Sequence, residues 1–191
     1  MTPEPGVLRA VLDANVLVPA SLRDTLLRAA EEGLFVPFWS DSVLSEVHRT
    51  LVNNRTASVE SATRLIVAIQ RTFPDATTTT ERSLTDQLTN DPKDRHVLAA
   101  AIATEAALIV TFNVRHFGER DLSQHLVSAW TPDMLLQRLL RDHRDDVVAL
   151  LVKQAGELKR RPTTVEDVLR RLDQHAPTFV RAIQRDITNG G

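Results

Sequence analysis

The chain has no cysteine in its 191 residues, which excludes disulfides, thiolate zinc sites and thiol nucleophiles. Any metal must then be held by oxygen and imidazole, and the default ions become hard cations such as Mg²⁺ or Mn²⁺. Aromatic residues are scarce, at 4%, so a sheet that stacks several nucleobases on its own rings is not expected. No segment approaches the roughly 20 apolar residues that cross a bilayer, and the start, Met1 to Gly6, lacks a signal-peptide pattern. A cytoplasmic protein without membrane contact is expected. Large excess charge is also absent. With a net charge of −2, contact with nucleic acid needs a local basic patch rather than bulk attraction.

What is present is a composition 42% hydrophobic, enough for one domain with its own core plus an appendage. Strand and helix patterns alternate up to about residue 130. Val7 to Leu12 reads as a buried strand interrupted by Arg9, and Ser21 to Glu32 as a helix with Leu22, Leu26, Leu27 and Ala30 on one stripe, ended by Gly33. Ser40 or Asp41 caps a helix whose Val43, Leu44, Val47 and Leu51 share a face; Ala62, Leu65, Ile66, Ile69 and Phe73 mark the next, closed by Pro74. Thr77 to Thr80 is a loop or a β-branched edge segment. Asp91-Pro92 opens a helix running to about Glu105, Ala107 to Phe112 is a strand, and Leu126 to Trp130 is the last one. This alternation predicts an α/β fold with a three-layer α/β/α arrangement around a mostly parallel sheet.

Beyond Thr131 the pattern is helical throughout, giving two expected units, 1–130 and 131–191. Thr131-Pro132 starts a helix carrying Met134, Leu135, Leu139 and Leu140, and Val147 to Val152 belongs to another. Thr163-Thr164-Val165-Glu166 reads as a capping box ahead of Val165, Val168, Leu169 and Leu172. After Pro177, the stripe of Phe179, Ile183 and Ile187 needs a cover: the main domain, a second subunit or a partner.

The residues that carry chemistry sit where strands stop or helices start. In a parallel sheet the chain leaves every strand at one edge, so side chains just past the strands meet in one crevice. Asp13 and Asn15 follow the first strand in VLDANVLV, Glu46 flanks the apolar stripe of its helix in SEVHRTL, Asp91 and Asp94 open DPKDRHVLAAAI, and Thr111 and Asn113 end IVTFN. Each has a purely structural alternative. Asp13 and Asn113 suit turns, Glu46 a solvated helix flank, and Asp91-Pro92 an N-cap with proline at the first helical position and Asp94 complementing the dipole.

The order Asp, Glu, Asp, Asn at those stations, with VLDANVLV, the SxxxxSEV run from Ser40 to Val47, DPKDRHVLAAAI and IVTFNVRHF, resembles the PIN domain, in particular the toxin ribonucleases of VapC-type toxin–antitoxin pairs. The resemblance covers residues from about 7 to 130. It implies a PIN core in which Asp13, Glu46 and Asp94 form the acidic, metal-binding triad and Asn113 a fourth catalytic polar group, supported by Asn15, Asp91 and Thr111. It also implies Mg²⁺- or Mn²⁺-dependent hydrolysis of RNA phosphodiesters, a small antitoxin partner and a homodimer. The helical tail resembles an extension carried by a subset of these toxins. One departure is His116, where the family often has an aspartate.

Arg49, Lys93, Arg95, His96, Arg115 and His116 lie close in sequence to the acidic stations and are candidate RNA contacts, against the alternative of ordinary solvated charge. Two other classes compete with the nuclease. A phosphatase of the haloacid-dehalogenase type also begins with a strand ending in Asp, but needs a second acid where this chain has Asn15. A PIN-like scaffold without catalysis would have lost the central acids, which are retained here.

Overall fold

Five strands, β1 (Arg9–Leu12), β2 (Val36–Ser40), β3 (Thr77–Thr78), β4 (Leu108–Val110) and β5 (Ser128–Trp130), form a sheet in the order β3-β2-β1-β4-β5. Every pairing is parallel, with Val11 opposite Phe38 on one side and Ile109 on the other. The computed structural model describes residues 7–80, 82–157 and 164–189, the side chains of 82 and 186–189 excepted. The expectation for Met1 to Gly6 lies outside these residues. After β1 the chain adds β2 and β3 on one side, then returns to place β4 on the other side of β1. The strand order therefore reverses between β1 and β4, and the carboxyl ends of these two strands flank the crevice at which α/β sheets bind ligands.

The connecting helices follow from the sequence in most places. Residues Ala14–Leu17 (α1) and Ala20–Glu31 (α2) join β1 to β2, and Asp41–Asn53 (α3) and Val59–Thr72 (α4) join β2 to β3. Gly33, at φ +76°, ends α2: Leu34 N donates to Ala29 O and Gly33 N to Ala30 O, both at 3.0 Å, closing a Schellman motif that glycine accommodates without strain. Ser40 caps α3, its hydroxyl accepting from Val43 N at 3.2 Å. Arg82–Gln87 (α5) and Arg95–Ala103 (α6) lead into β4, and Glu119–Ser123 (α7) into β5. The alanines of α6, Ala99, Ala100 and Ala101, are completely buried, and the helix crosses β2, β1 and β4. Small side chains allow that close approach.

Three points differ from the sequence reading, and a further one decides between its alternatives. β1 begins at Arg9 rather than Val7; Arg9 is accommodated because its guanidinium donates to Thr104 O (Nη2 at 2.5 Å) and lies 4.8 Å from the centre of the Phe38 ring. β2 has no counterpart in the sequence reading, and it carries Pro37, a residue unusual in an inner strand. Val36 N donates to Leu8 O and Trp39 N to Ala76 O, so alternation turns the Pro37 nitrogen toward β3, whose pairing covers only Trp39 and Ser40. The missing donor thus costs no ladder bond. The threonine run supplies the edge strand β3, the second of its two expected forms. Finally, the helix expected from Asp91 starts at Arg95, with Asp94 at the cap position and Asp91 in the preceding turn, where its Oδ1 accepts from Lys93 N at 3.0 Å.

The tail consists of Pro132–Asp142 (α8), Arg144–Glu157 (α9), Val165–Leu172 (α10) and Pro177–Asn189 (α11). Thr131 caps α8 as expected. The capping box of α10 is shifted by one residue: Thr164 Oγ1 accepts from Asp167 N, and Asp167 Oδ2 from Thr164 N, each at 3.3 Å. Thr163 lies outside the described residues. Helices α9 and α10 pack on α2, and α11 packs on α8. At the α2–α9 seam the buried Gln154 accepts from Thr25 Oγ1 at 3.1 Å and donates to Asp24 Oδ2 at 2.8 Å. Asp133 of α8 accepts from Phe179 N at 2.8 Å, pinning the start of α11. Phe179 and Ile183 are fully buried within the chain itself, which settles what covers them; the side chain of Ile187 lies outside the description. The buried residues of core and tail form one continuous hydrophobic cluster.

Candidate active site

Asp13 is the first residue past β1, and its amide donates to Val110 O of β4 at 3.0 Å, so the carboxylate stands over the strand reversal. Thr111 is the first residue past β4. Its hydroxyl donates to Asp13 Oδ2 at 2.6 Å, and Asn15 Nδ2 donates to the same oxygen at 2.6 Å. Asn15 Nδ2 is also 2.9 Å from Thr111 Oγ1, while Asn15 Oδ1 accepts from Phe112 N at 3.1 Å and Thr111 Oγ1 accepts from Asn113 N at 3.0 Å. The two strand ends are thereby locked into one polar network in which Asp13, 4% exposed, and Thr111, fully buried, are the floor.

Beside this floor opens a cleft of about 640 Å³ whose walls include Glu46 and Arg49 from α3, Lys93 and Asp94 from the turn before α6, His96 from α6, and Asn113 and His116 from the segment after β4. Of the candidate RNA contacts, Arg49, Lys93, His96 and His116 reach these walls. Arg95 instead donates Nε to Asn90 O at 3.2 Å, and Arg115 does not line the cleft. His96 Nε2 is buried with no hydrogen-bond partner among the described residues. Asp41, Ser42 and Ser45 also line the cleft and were not singled out from the sequence. Their spacing to Arg49 along α3, three to four residues per step, is the helical-face signal that would have found them.

His116 Nδ1 lies 2.8 Å from Asp94 Oδ2, a hydrogen bond that orients the Asp94 carboxylate. Asp91, Asp94 and His116 each offer a ligand atom within 4.8 Å of the other two. Asp13 and Glu46 lie outside that tight set but share its electrostatic neighbourhood. Burial pushes the Asp13 carboxyl above its ordinary value of 3.8, its hydrogen bonds pull it partly back, and the negative charges of Asp94 and Glu46 push it up again. Among the described residues no lysine or arginine forms an ion pair with Asp13, Glu46, Asp91 or Asp94. Several carboxylates gathered with no lysine or arginine ion-paired to them among the described residues, one of them buried, fit a divalent cation, and their oxygen and imidazole donors are the ones such an ion accepts.

Parallel α/β sheets take their ligands at such a reversal of strand order, and here that point carries the acidic network. A model of the PIN domain family matches residues 9–115, more than half of the chain, and the chain belongs to that family. A model described as the VapC50 C-terminal domain matches residues 132–185, which takes in α8 to most of α11. The chain is also 31% identical over 103 residues to the Mycobacterium tuberculosis (strain ATCC 25618 / H37Rv) protein named "Putative ribonuclease VapC50". That match covers 54% of this chain and 61% of the relative, about three fifths of the relative's length.

Proposed function

We propose that this chain is a metal-dependent endoribonuclease acting as the toxin of a toxin–antitoxin pair in the cytoplasm. The observation that carries the reading is the set of carboxylates, without lysine or arginine ion-paired to them among the described residues, at the β1–β4 reversal of a PIN-family sheet. The 31% identical relative named as a VapC50 ribonuclease supports the same substrate class. Residues 1–130 form the nuclease domain and 131–191 the extension. The partners are an RNA substrate, a small cognate antitoxin that plugs the acidic cleft, and a second copy of the chain.

Asp13, Glu46 and Asp94 would hold the ion, Mg²⁺ or Mn²⁺, with Asp91 supporting. Such an ion supplies Lewis-acid charge to the phosphate and a nucleophile at neutral pH when bound. Asp13 is kept ready by Thr111 and Asn15, whose donors both fall on Oδ2 and fix the rotation of the carboxylate. His116 does the same for Asp94. Asn113 presents its amide on the cleft wall, where it can orient the attacking water or the phosphate. Arg49 and Lys93 face the same space and suit the charge that develops on the phosphoryl oxygens; His96 lines the cleft with its Nε2 buried, and Arg95 and Arg115 would act further along the strand. A phosphatase needs an acid at position 15, where the Asn15 amide is instead tied to Asp13 and to Phe112 N.

The test is purified full chain with Mn²⁺ or Mg²⁺ on structured RNA, beside Asp13→Asn and Asp94→Asn. Cleavage by the wild type that EDTA and either substitution abolish is expected. Undiminished cleavage by both variants overturns the site, and hydrolysis of a small phosphate ester but not RNA overturns the nuclease. Induced expression in a bacterium reads the toxin role: growth arrest by the wild type but not by Asp13→Asn is expected, and equal growth contradicts it.

A further inference from the structure

The residue between Thr111 and Asn113 in the active-site segment belongs to neither the floor nor the wall of the acidic cleft. Phe112 is 39% exposed, an unusual state for one of only six phenylalanines in the chain. Its amide is held by Asn15 Oδ1, so its backbone is fixed by the same network that fixes Asp13. Among the described residues the ring meets one other aromatic ring. His175, in the turn between α10 and α11, lies with its ring centre 5.8 Å away and inclined by 44°. Burial pushes the His175 imidazole below its ordinary value, so at neutral pH it is an uncharged ring. The extension thus reaches around to the mouth of the catalytic crevice at one point, and does so with a ring.

His175 is also on the rim of a second groove, of about 820 Å³, between α2 and the extension. Its walls include Ser21, Arg23, Arg28, Gln174 and Arg171. Arg28 is occupied by Asp24 at 3.1 Å and Glu157 at 2.8 Å, and Arg23 gives Nη1 to the carbonyls of Leu17 and Val18. Arg171 differs: among the described residues its guanidinium makes neither an ion pair nor a hydrogen bond, although its carbonyl is held by Ser21 Oγ at 3.1 Å. Arg171, exposed and with Asp167 as an electrostatic neighbour, places its guanidinium in the groove whose rim carries the half-buried His175, so that a phosphate contact stands beside a base contact. That combination is how single-stranded nucleic acid is held without reading its sequence. The groove also has apolar walls, Pro19, Leu27, Leu65 and Val168, so a peptide is the rival occupant and one outcome of the test.

Resting on the nuclease reading, we infer that the extension builds the exit path for single-stranded RNA. Phe112 and His175 stack a base flanking the scissile phosphate, and Arg171 takes the next phosphate in the groove between α2 and α10. Scarcity of aromatic residues excludes a broad stacking sheet but leaves room for this single pair.

The experiment measures binding of a fluorescein-labelled 12-nucleotide single-stranded RNA to the full chain in EDTA, where no cleavage intervenes, with Phe112→Ala, Phe112→Trp, His175→Ala and Arg171→Gln. Phe112→Ala is expected to weaken binding about tenfold, Phe112→Trp to retain it, and Arg171→Gln to weaken it while flattening its dependence on salt. Phe112 and Arg171 are exposed, so unchanged thermal unfolding of their variants is expected and rules out a folding defect. Unaltered RNA affinity in Phe112→Ala and His175→Ala overturns the inference, as does the absence of RNA binding by the wild type, and a groove built for a peptide would give the first of these results. Cleavage by the wild type with Mn²⁺ is read separately. If RNA is cleaved but Phe112→Ala binds normally, this inference alone falls; if nothing is cleaved but Phe112→Ala loses tenfold in affinity, the nuclease reading alone falls.

Discussion

Thr111 Oγ1 donates to Asp13 Oδ2 at 2.6 Å, joining the ends of two neighbouring strands that are 98 residues apart in sequence. The hydroxyl is also an acceptor for Asn15 Nδ2 and Asn113 N, so one buried oxygen organises the carboxylate, the supporting amide and the wall residue. Thr111→Val keeps the shape and removes that oxygen. It is expected to cost about 1–3 kcal/mol of stability, because the buried Asp13 Oδ2 loses one of its two donors and Asn113 N its acceptor, and to lower RNA cleavage about tenfold or more through misorientation of Asp13. Chemical denaturation and single-turnover cleavage measure the two effects; full activity in a folded Thr111→Val protein contradicts the role.

Asp13 itself sets a pH dependence. Its carboxyl is pushed above the ordinary 3.8 by burial and by Asp94 and Glu46, so the folded state holds the proton more tightly than the unfolded chain. The resulting stabilisation is complete below the unfolded value and disappears as pH rises through the folded one. Metal-free protein should therefore lose part of its thermal stability as pH rises above 3.8. Asp13→Asn, uncharged and able to accept the same two hydrogen bonds, should remove that dependence and raise the melting temperature at neutral pH by about 2–4 °C. A lower melting temperature in Asp13→Asn than in the metal-free wild type contradicts it.

His116 and Asp94 test the ion directly. Replacing His116 by Asp adds a carboxylate beside Asp91 and Asp94, whose ligand atoms already lie within 4.8 Å of the histidine. Calorimetric titration of His116→Asp is expected to show tighter Mg²⁺ binding than the wild type, since Mg²⁺ prefers oxygen to imidazole. Weaker Mg²⁺ binding in that variant contradicts an ion held at Asp94.

The extension should be part of the same cooperative unit as the PIN core. Leu151 of α9 is 1% exposed and belongs to the single hydrophobic cluster, so Leu151→Ala is expected to destabilise the whole chain by about 2–5 kcal/mol. One shifted unfolding transition, followed by near- and far-ultraviolet circular dichroism, is the expected outcome. Loss of α9 alone, with an unchanged main transition, contradicts it.

Much of this arrangement was legible in the chain because its signals are local. Periodic leucines and valines marked α2, α3 and α8, Thr131-Pro132 marked a helix start, and apolar runs ending in Asp13 and Thr111 marked β1 and β4. The parts that escaped depend on distant partners. β2 is a short strand carrying Pro37, which is harmless there only because of how far β3 extends. Asp91 has every local feature of an N-cap, yet the turn carries on to Asp94, and nothing near Asp94 in sequence announces its bond to His116. The fate of the Phe179 and Ile183 stripe was open for the same reason, since its cover, α8, is set by tertiary packing.

The most direct measurement is anomalous diffraction from crystals of the full chain soaked in Mn²⁺. A peak within coordination distance of the Asp13, Glu46 and Asp94 carboxylates, absent in Asp94→Asn, is expected. A peak elsewhere on the molecule with none at the β1–β4 crevice, or one that survives Asp94→Asn unchanged, contradicts a shared ion at these residues and the hydrolysis assigned to it.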